Sequence, residues 1–497
     1  MLPEKSLSLR PVVFFLALFF AAFIPAAYWL GLNQPVNFDL RGEPYPVLWA
    51  QCASLFVGFL LFVVPLLWIL FARIIDVLAL AFCLNALLIW SYFIFPESAQ
   101  QLYHAEAAIF AASAQVMGIA TVGFLLMLAA MLGWYGLLAV QQRRLPPLPA
   151  SPEEMDRRLR WVLYPALLVV TAMVAAPIAL TGAIPLLSSD PVAARLALEQ
   201  STVGRPLYNL GSSLLPTLVA ATLILSLRRK HFLLKIFNPA VILALMACGV
   251  QFLTSNRQPL AITGMTFFAL FSMERKLPRF LLPLAVIVFF VGFTGVGGYF
   301  GILRQHRELL EEGNIVVNSF EEAFLGDNLA DVRDGAWVIG EWNFQPLDGL
   351  TYLGGLASVV PSAFFPEKEQ WHLGKVSLRI VNQPAEEHFG LRLGFFDEAF
   401  LNFGLAGVIG LAVLLGSWFG VALRWLHLSA RTVPCLTRNL RVTLSLQLAI
   451  TLCNTGSGFV IWSLAFLLLV IWIGVELPLR LWRPGKRVAF SSCQEAA

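Results

Sequence analysis

Charged residues are scarce in this chain of 497 residues. Asp, Glu, Lys and Arg together make up 13% of the sequence, about half the roughly 25% of an average soluble domain. Hydrophobic residues make up 58%, and the mean hydropathy is +0.76. These values exclude a soluble enzyme, a disordered protein and a disulfide-rich secreted scaffold, and they indicate a polytopic membrane protein. The net charge of +4 is too small to indicate a nucleic-acid partner.

Cysteine is also rare, and several nucleotide and metal motifs are missing. The six cysteines lack the spacing of a metal or redox site. No phosphate-binding glycine loop, Walker motif or internal repeat is present, which counts against an ATP-driven transporter. The sequence therefore predicts neither a metal site nor a cofactor.

Long apolar runs fill most of the chain. An α-helix needs about 20 mostly apolar residues to cross a bilayer, and on that length the sequence predicts twelve spans. Residues 11–31 are interpreted as the first span rather than a signal peptide, because the run is long and lacks a small-residue cleavage site. The spans are placed at 11–31, 46–71, 75–95, 118–140, 161–186, 207–227, 233–253, 258–273, 280–302, 399–424, 441–457 and 459–479.

Basic residues predict the orientation of these spans. With the N-terminus in the cytoplasm, 23 of the 34 Lys and Arg residues lie on the cytoplasmic side, as the positive-inside rule requires. Both termini are then cytoplasmic, in a bacterial inner membrane, and the opposite, outer side is periplasmic. The predicted organisation is 1–302 with spans one to nine, 303–397 as a periplasmic loop domain, 398–480 with spans ten to twelve, and 481–497 as a cytoplasmic tail.

The large outer loop is too long for a simple connection and too polar for the membrane. From Arg304 to Glu398 it contains 16 acidic and 7 basic residues. Recurring apolar residues predict short helices that fold against the bundle. Because the loop is acidic, its few arginines are the best candidates for binding an anionic ligand.

Four arginines are candidate phosphate ligands on the outer side, since a guanidinium binds phosphate through two donors at any pH. Arg257 lies in a short turn between two spans, and its alternative role is that of an interfacial anchor. Arg304 and Arg307 are three residues apart and share a helical face, either as a second phosphate clamp or as anchors. Arg333 lies among acidic residues, where a local ion pair is the alternative.

Two residues are candidates for proton transfer. Glu398 opens the tenth span, and a carboxylate at the edge of the bilayer is costly enough to suggest a function. Its alternative role is to complement the helix dipole, which Asp397 could also do. His388 is the best candidate among the outer histidines for a general base, although most such residues are simply solvated. Asp76 and Glu106, at span edges, are interpreted as helix caps or interfacial charges.

Five segments carry a resemblance to a known family. They are the turn 255–260 (SNRQPL), the following outer arginine in 303–305, and the loop segments 349–352, 360–368 and 397–407. Together they resemble the oligosaccharide repeat-unit polymerases of the Wzy type, which are relatives of the O-antigen ligases. The resemblance covers roughly residues 240–410.

The resemblance implies an all-α, GT-C-like membrane fold with a large periplasmic loop. It implies a glycosyltransferase that polymerises glycans carried on undecaprenyl pyrophosphate, for O-antigen or exopolysaccharide, without metal or nucleotide. Arg257 and Arg304 would bind the pyrophosphate, and Glu398 would lie at the end of the loop. The expected partners are the lipid-linked donor and acceptor, the bilayer and a chain-length regulator.

Three other functions remain open. An O-antigen ligase would use the same chemistry with a different acceptor and would favour His388 as the base. A flippase or other transporter would need polar or broken helices deep in several spans. A structural or regulatory subunit would tolerate replacement of the loop arginines.

Overall fold

The structure is a computed structural model of the full chain. Of the predicted spans, 11–31 lies outside the described residues and 46–71 lies partly outside them. The described residues are 56–65, 67–68, 75–94, 107–141, 148–188, 190–200, 204–227, 238–254, 257–274, 278, 281–305, 314–325, 331–360, 364–384, 390–391, 393–430, 434–452 and 458–482.

The described part of the chain is mostly helical and contains no strand. Residues 56–65 form a short apolar helix ahead of the numbered ones. The numbered helices are α1 Val77–Ile94, α2 Ala107–Val140, α3 Pro152–Thr181, α4 Pro191–Gln200, α5 Gly204–Leu227, α6 Pro239–Leu253, α7 Arg257–Glu274, α8 Leu281–Gln305, α9 Ile315–Leu325, α10 Asp331–Glu341, α11 Leu350–Ala357, α12 Leu373–Ile380, α13 Phe395–Ala430, α14 Leu436–Leu452, α15 Gly458–Ile471 and α16 Leu477–Trp482.

Among the described residues, five helices are both long and apolar enough to cross a membrane. They cover Gln115–Val140, Pro152–Thr181, Leu207–Leu227, Phe395–Ser429 and Gly458–Leu481. The chain is therefore a helical, multi-pass membrane protein. Each predicted span from the third to the twelfth overlaps a helix of the structure, while the number twelve and the GT-C-like arrangement stay predictions.

Local sequence signals explain where α3 begins and ends. Ser151 caps its N-terminus by accepting a hydrogen bond from the Glu154 N–H at 3.3 Å, and Pro152 occupies the first turn. Gly182 ends the helix in the left-handed region, with φ 66°.

Helices α2 and α13 pack closely because glycines let their backbones approach. A Cβ on Gly416 would lie 2.3 Å from the Met127 carbonyl oxygen, and one on Gly420 would lie 2.4 Å from that of Met131. Small residues serve this purpose in membrane helix pairs, where dispersion forces rather than the hydrophobic effect drive association. Helix α2 is continuous from Ala107 to Val140, so it begins before the fourth predicted span at 118–140.

Helix α5 forms the centre of a second group of helices. It is the most buried of the five membrane helices and packs against α3, α6, α7 and α15. Ala220 and Ala221 on α5 are fully buried, so neighbouring helices can approach it from several sides.

The outer segment folds into the short helices that its apolar residues predict, and these helices rest on the bundle. Helix α9 crosses α8 at Gly298, where a Cβ would collide with the Ser319 carbonyl. Helix α10 packs against the outer part of α2, and α11 against α15, where Gly458 meets the Gly355 carbonyl. The outer segment is thus fixed to several membrane helices at once.

Candidate functional site

Glu398 lies in the first turns of α13 and is completely buried. Its Oε1 accepts a hydrogen bond of 2.8 Å from the hydroxyl of Thr351, which is also completely buried. Thr351 belongs to α11 in the outer segment. A buried carboxylate must be hydrogen-bonded to offset its desolvation, so the Thr351 hydroxyl joins the outer segment to the start of a membrane helix.

Asn402 completes this cluster one turn further along α13. Its Nδ2 donates to the Thr351 Oγ1 at 2.7 Å and to the Glu398 carbonyl at 2.8 Å, while its Oδ1 accepts from the Thr351 N–H at 3.4 Å. The Thr351 hydroxyl therefore donates to Glu398 and accepts from Asn402. We call Glu398, Thr351 and Asn402 the Glu398 cluster.

A break in α13 fixes the loop against this cluster. Gly404 has φ 62° and ψ −154°, which interrupts the helix and frees the carbonyls that precede it from their partners four residues later. The N–H groups of Leu347 and Asp348 donate to the carbonyls of Leu401 and Asn402 at 3.0 and 3.1 Å. The outer segment is thereby attached to α13 through its backbone as well as through Thr351.

Asp397 and Glu398 have different surroundings. The Asp397 Oδ2 accepts a hydrogen bond from the Gly394 N–H at 3.2 Å, as expected of an acidic residue at a helix start. Glu398 instead meets Thr351 of α11. Asp397 thus fills the dipole-related role that was the alternative for Glu398.

Arg257 and Arg304 lie at the same end of the bundle. Arg257 is the first residue of α7, and Arg304 is in the last turn of α8. Phe252 and Phe300, which precede them, are in contact with ring centroids 5.0 Å apart. A Cβ on Gly264 would lie 2.8 Å from the Phe289 ring, so α7 and α8 pack against each other.

The other predicted site residues are placed only in part. Arg333 belongs to α10. Gly335 of the same helix lies against Asp397, because a Cβ added to Gly335 would be 3.1 Å from the Asp397 Oδ2. Arg333 is therefore on a helix beside the start of α13. Arg307 and His388 lie outside the described residues, so their roles stay predictions.

Thr351 and Asn402 were not singled out as site residues from the sequence. Asn402 had a signal, because it is a polar residue four positions after Glu398 in an apolar span and so shares its helical face. Thr351 lies in the segment 349–352 that carries the family resemblance, but no local pattern predicted its contact with Glu398, which joins residues 47 positions apart.

A second buried polar cluster, also missed, lies at the opposite end of α13. Asp76 caps α1 as predicted, its Oδ1 accepting from the Ala79 N–H at 2.7 Å, but its Oδ2 also lies 3.9 Å from His427 Nε2. Trp68 donates to the His427 ring, and the Tyr135 hydroxyl is 3.1 Å from its Nδ1. Asp76 and His427 are both almost fully buried. Glu106 lies outside the described residues.

Within the described ranges, no group of three or more His, Cys, Asp or Glu residues is arranged to hold a metal ion. Comparison with protein-family models, curated proteins and solved structures finds no match to the chain. The function is therefore inferred from the geometry of the site and from the resemblance carried by the sequence motifs.

Proposed function

We propose that this protein is a membrane glycosyltransferase that polymerises oligosaccharide units carried on undecaprenyl pyrophosphate, at the outer face of an inner membrane. The observation that supports this most is the Glu398 cluster. It joins a completely buried carboxylate in the first turns of a membrane helix to a hydroxyl of the segment 303–397, which the proposal places on the outer side. Buried carboxylates at this depth are costly and by default functional.

In this proposal Glu398 is the proton acceptor. The O–H bond of the acceptor sugar breaks, its oxygen bonds to the anomeric carbon of the donor, and the bond from that carbon to the pyrophosphate breaks. The proton passes to Glu398, and undecaprenyl pyrophosphate leaves with the bonding electrons. Thr351 holds the carboxylate through its 2.8 Å hydrogen bond to the Oε1, which fixes the orientation of the carboxylate.

Arg257 and Arg304 serve as the pyrophosphate ligands. In this proposal they bind the diphosphate from the start of α7 and the last turn of α8, two helices that pack against each other. Guanidinium groups stabilise the negative charge that builds up on the leaving group, an effect that is large in a poorly hydrated cleft. Arg307 and Arg333 are the further candidate ligands, and His388 is the alternative base.

The proposal is tested with purified protein in nanodiscs and a synthetic undecaprenyl-pyrophosphate oligosaccharide. Products are resolved by gel without added metal or nucleotide. We expect a ladder from the wild type, loss of the ladder in Glu398→Gln and in Arg257→Ala, and partial retention in Arg257→Lys. Removing an electrostatic stabiliser of this kind lowers the turnover rate by about 100- to 1,000-fold.

Exposed residues of the same outer segment provide matched controls. Glu341→Gln and Arg379→Ala remove one exposed carboxylate and one exposed guanidinium, and both should leave the ladder intact. A single addition to a different acceptor, without a ladder, would indicate the ligase. A ladder that persists in Glu398→Gln would remove Glu398 from the proposed site, and no product from several repeat units would contradict the proposed function.

A transporter is the second candidate, because one observation favours it. Deep in the bundle, Gln447 Nε2 donates to the Thr266 hydroxyl at 2.6 Å. The Thr217 hydroxyl donates to the Gln447 Oε1 at 3.4 Å. Nearer the outer end, the Thr263 hydroxyl lies 3.3 Å from Gln251 Oε1. Polar side chains inside membrane helices can line a substrate path. Such transport would be measured in proteoliposomes, as the fraction of a fluorescent lipid-linked oligosaccharide that an external lectin can bind. Gln447→Leu would be expected to abolish the transport.

A further inference from the structure

A charged group at the inner end of the bundle is separate from the proposed site. Glu476 is almost completely buried and lies between two arginines from different helices. Its Oε1 pairs with Arg441 Nη1 of α14, and its Oε2 lies 3.4 Å from Arg480 Nη2 of α16. Two guanidinium groups thus share one carboxylate, which leaves a surplus of one positive charge.

Both guanidinium groups remain accessible from the surface. The side chains of Arg441 and Arg480 are 40% and 58% exposed, against 3% for Glu476. Each guanidinium has five N–H donors, and in the described part of the chain the carboxylate of Glu476 is the one acceptor that they contact. Most of their donors therefore have no acceptor among the described residues.

The helix that carries Glu476 is distorted at this point. Residues Trp472–Glu476 form a π-helical turn between α15 and α16, and such turns are frequent at functional sites. Gly474 in this turn packs against Val162 of α3, because a Cβ added to Gly474 would be 2.7 Å from the Val162 Cγ2. The neighbouring Trp161 is 80% exposed, so α3 presents an aromatic side chain near the residue that contacts this turn.

Apolar side chains on the same helix continue the surface toward the membrane interior. Phe466, Leu469 and Ile473 are about half exposed on a helix that is long and apolar enough to cross the membrane. Their spacing of three to four residues forms one stripe, and Arg480 follows after the π turn. Acyl chains would cover this stripe, and an exposed tryptophan is typical of the headgroup level.

We propose that Arg441 and Arg480 form a binding site for the phosphate of an anionic phospholipid in the inner leaflet, with its acyl chains along α15. Arginine donates to phosphate through paired N–H groups. Basic residues near the cytoplasmic surface attract anionic lipids. Glu476 holds the two guanidinium groups in place while neutralising only one of them.

The site is tested with the purified full-length chain, delipidated in neutral detergent. Thermal unfolding is followed while dioleoyl phosphatidylglycerol or dioleoyl phosphatidylcholine is added. We expect phosphatidylglycerol to raise the midpoint more than phosphatidylcholine. Arg480→Gln should weaken the apparent affinity for phosphatidylglycerol about fivefold, the size expected for one basic residue at a membrane surface, and should leave the response to phosphatidylcholine unchanged.

A second variant separates lipid binding from a purely structural ion pair. Glu476→Gln raises the local charge from +1 to +2, so it should strengthen the response to phosphatidylglycerol even if the protein without lipid is less stable. Arg379→Gln, on the outer segment, is the control and should change neither response. If Glu476→Gln weakens the lipid response as Arg480→Gln does, or if inorganic phosphate alone reproduces the shift, the phospholipid site is refuted.

Discussion

Replacing Thr351 by valine removes the hydroxyl at the centre of the Glu398 cluster while keeping the side-chain volume. The carboxylate loses its 2.8 Å donor, and Asn402 loses its 2.7 Å acceptor, both in a fully buried setting. A hydrogen bond to a charged group contributes about 1.5–3 kcal/mol and a neutral one about 0.5–1.5 kcal/mol. We therefore expect Thr351→Val to lower the free energy of unfolding by roughly 2–4 kcal/mol.

The assay is reversible unfolding in mixed micelles by titration with sodium dodecyl sulfate. Thr181→Val is the matched control, because the Thr181 side chain lies at the exposed end of α3 and makes only local hydrogen bonds, to the preceding turn and from the Ala183 N–H at 3.3 Å. This change should stay within about 0.5 kcal/mol. In the Glu398→Gln background the cost of Thr351→Val should shrink by about 1 kcal/mol, because a hydrogen bond to a neutral amide is weaker than one to a carboxylate.

The reasoning is refuted if Thr351→Val costs no more than the Thr181→Val control. It is also refuted if the cost is unchanged in the Glu398→Gln background, since the hydroxyl would then not interact with the charge. In either case Thr351 would not hold Glu398 in position, and the proposed orientation of the carboxylate toward the acceptor would be lost.

Two further predictions concern the packing that carries the site. Gly123→Ala should lower the unfolding midpoint, because the new Cβ would lie 2.3 Å from the Phe396 ring and overpacking of this kind costs about 1–3 kcal/mol. Gly133→Ala in the same helix is the control and should be neutral, because its Cβ would meet nothing within 4 Å. Asp156→Ala should cost about 1–2 kcal/mol through loss of a helix cap, because this carboxylate accepts from two backbone N–H groups at the start of α14. Equal midpoints for the two glycine variants, or an unchanged midpoint for the aspartate variant, would contradict these expectations.

The position of the Glu398 cluster determines how substrate would reach it. Glu398 is fully buried beside α11. Helix α11 contacts α13 through Thr351. It also contacts α15, where Trp462 Nε1 donates to the Leu356 carbonyl at 2.8 Å. If Glu398 acts on a sugar hydroxyl as proposed, the residues that bury it, those of α11 among them, must shift to admit the hydroxyl. Substrate-induced movement of an outer element is a common step in enzymes that exclude water from the reaction.

Hydrophobic length predicted the positions of the helices well, and charge placement predicted the residues worth examining. Both signals are local along the chain: a membrane helix satisfies its own backbone, so a run of about 20 apolar residues is enough to specify it. Asn402 could have been found in the same way, from its four-residue spacing to Glu398. The break at Gly404 was not predictable from the isolated glycine, since many glycines in these spans lie in regular helix.

The amino-acid sequence by itself determined that this is a helical membrane protein with an acidic segment between two groups of apolar helices, because composition and periodicity act residue by residue. The outer position of that segment stays a prediction. Only the tertiary structure decided that Glu398 meets Thr351, that Asp76 meets His427, and that Glu476 lies between Arg441 and Arg480. Each of these contacts joins different helices. Which faces of apolar helices come together depends on close packing of the whole bundle, and no local pattern in the sequence specifies it.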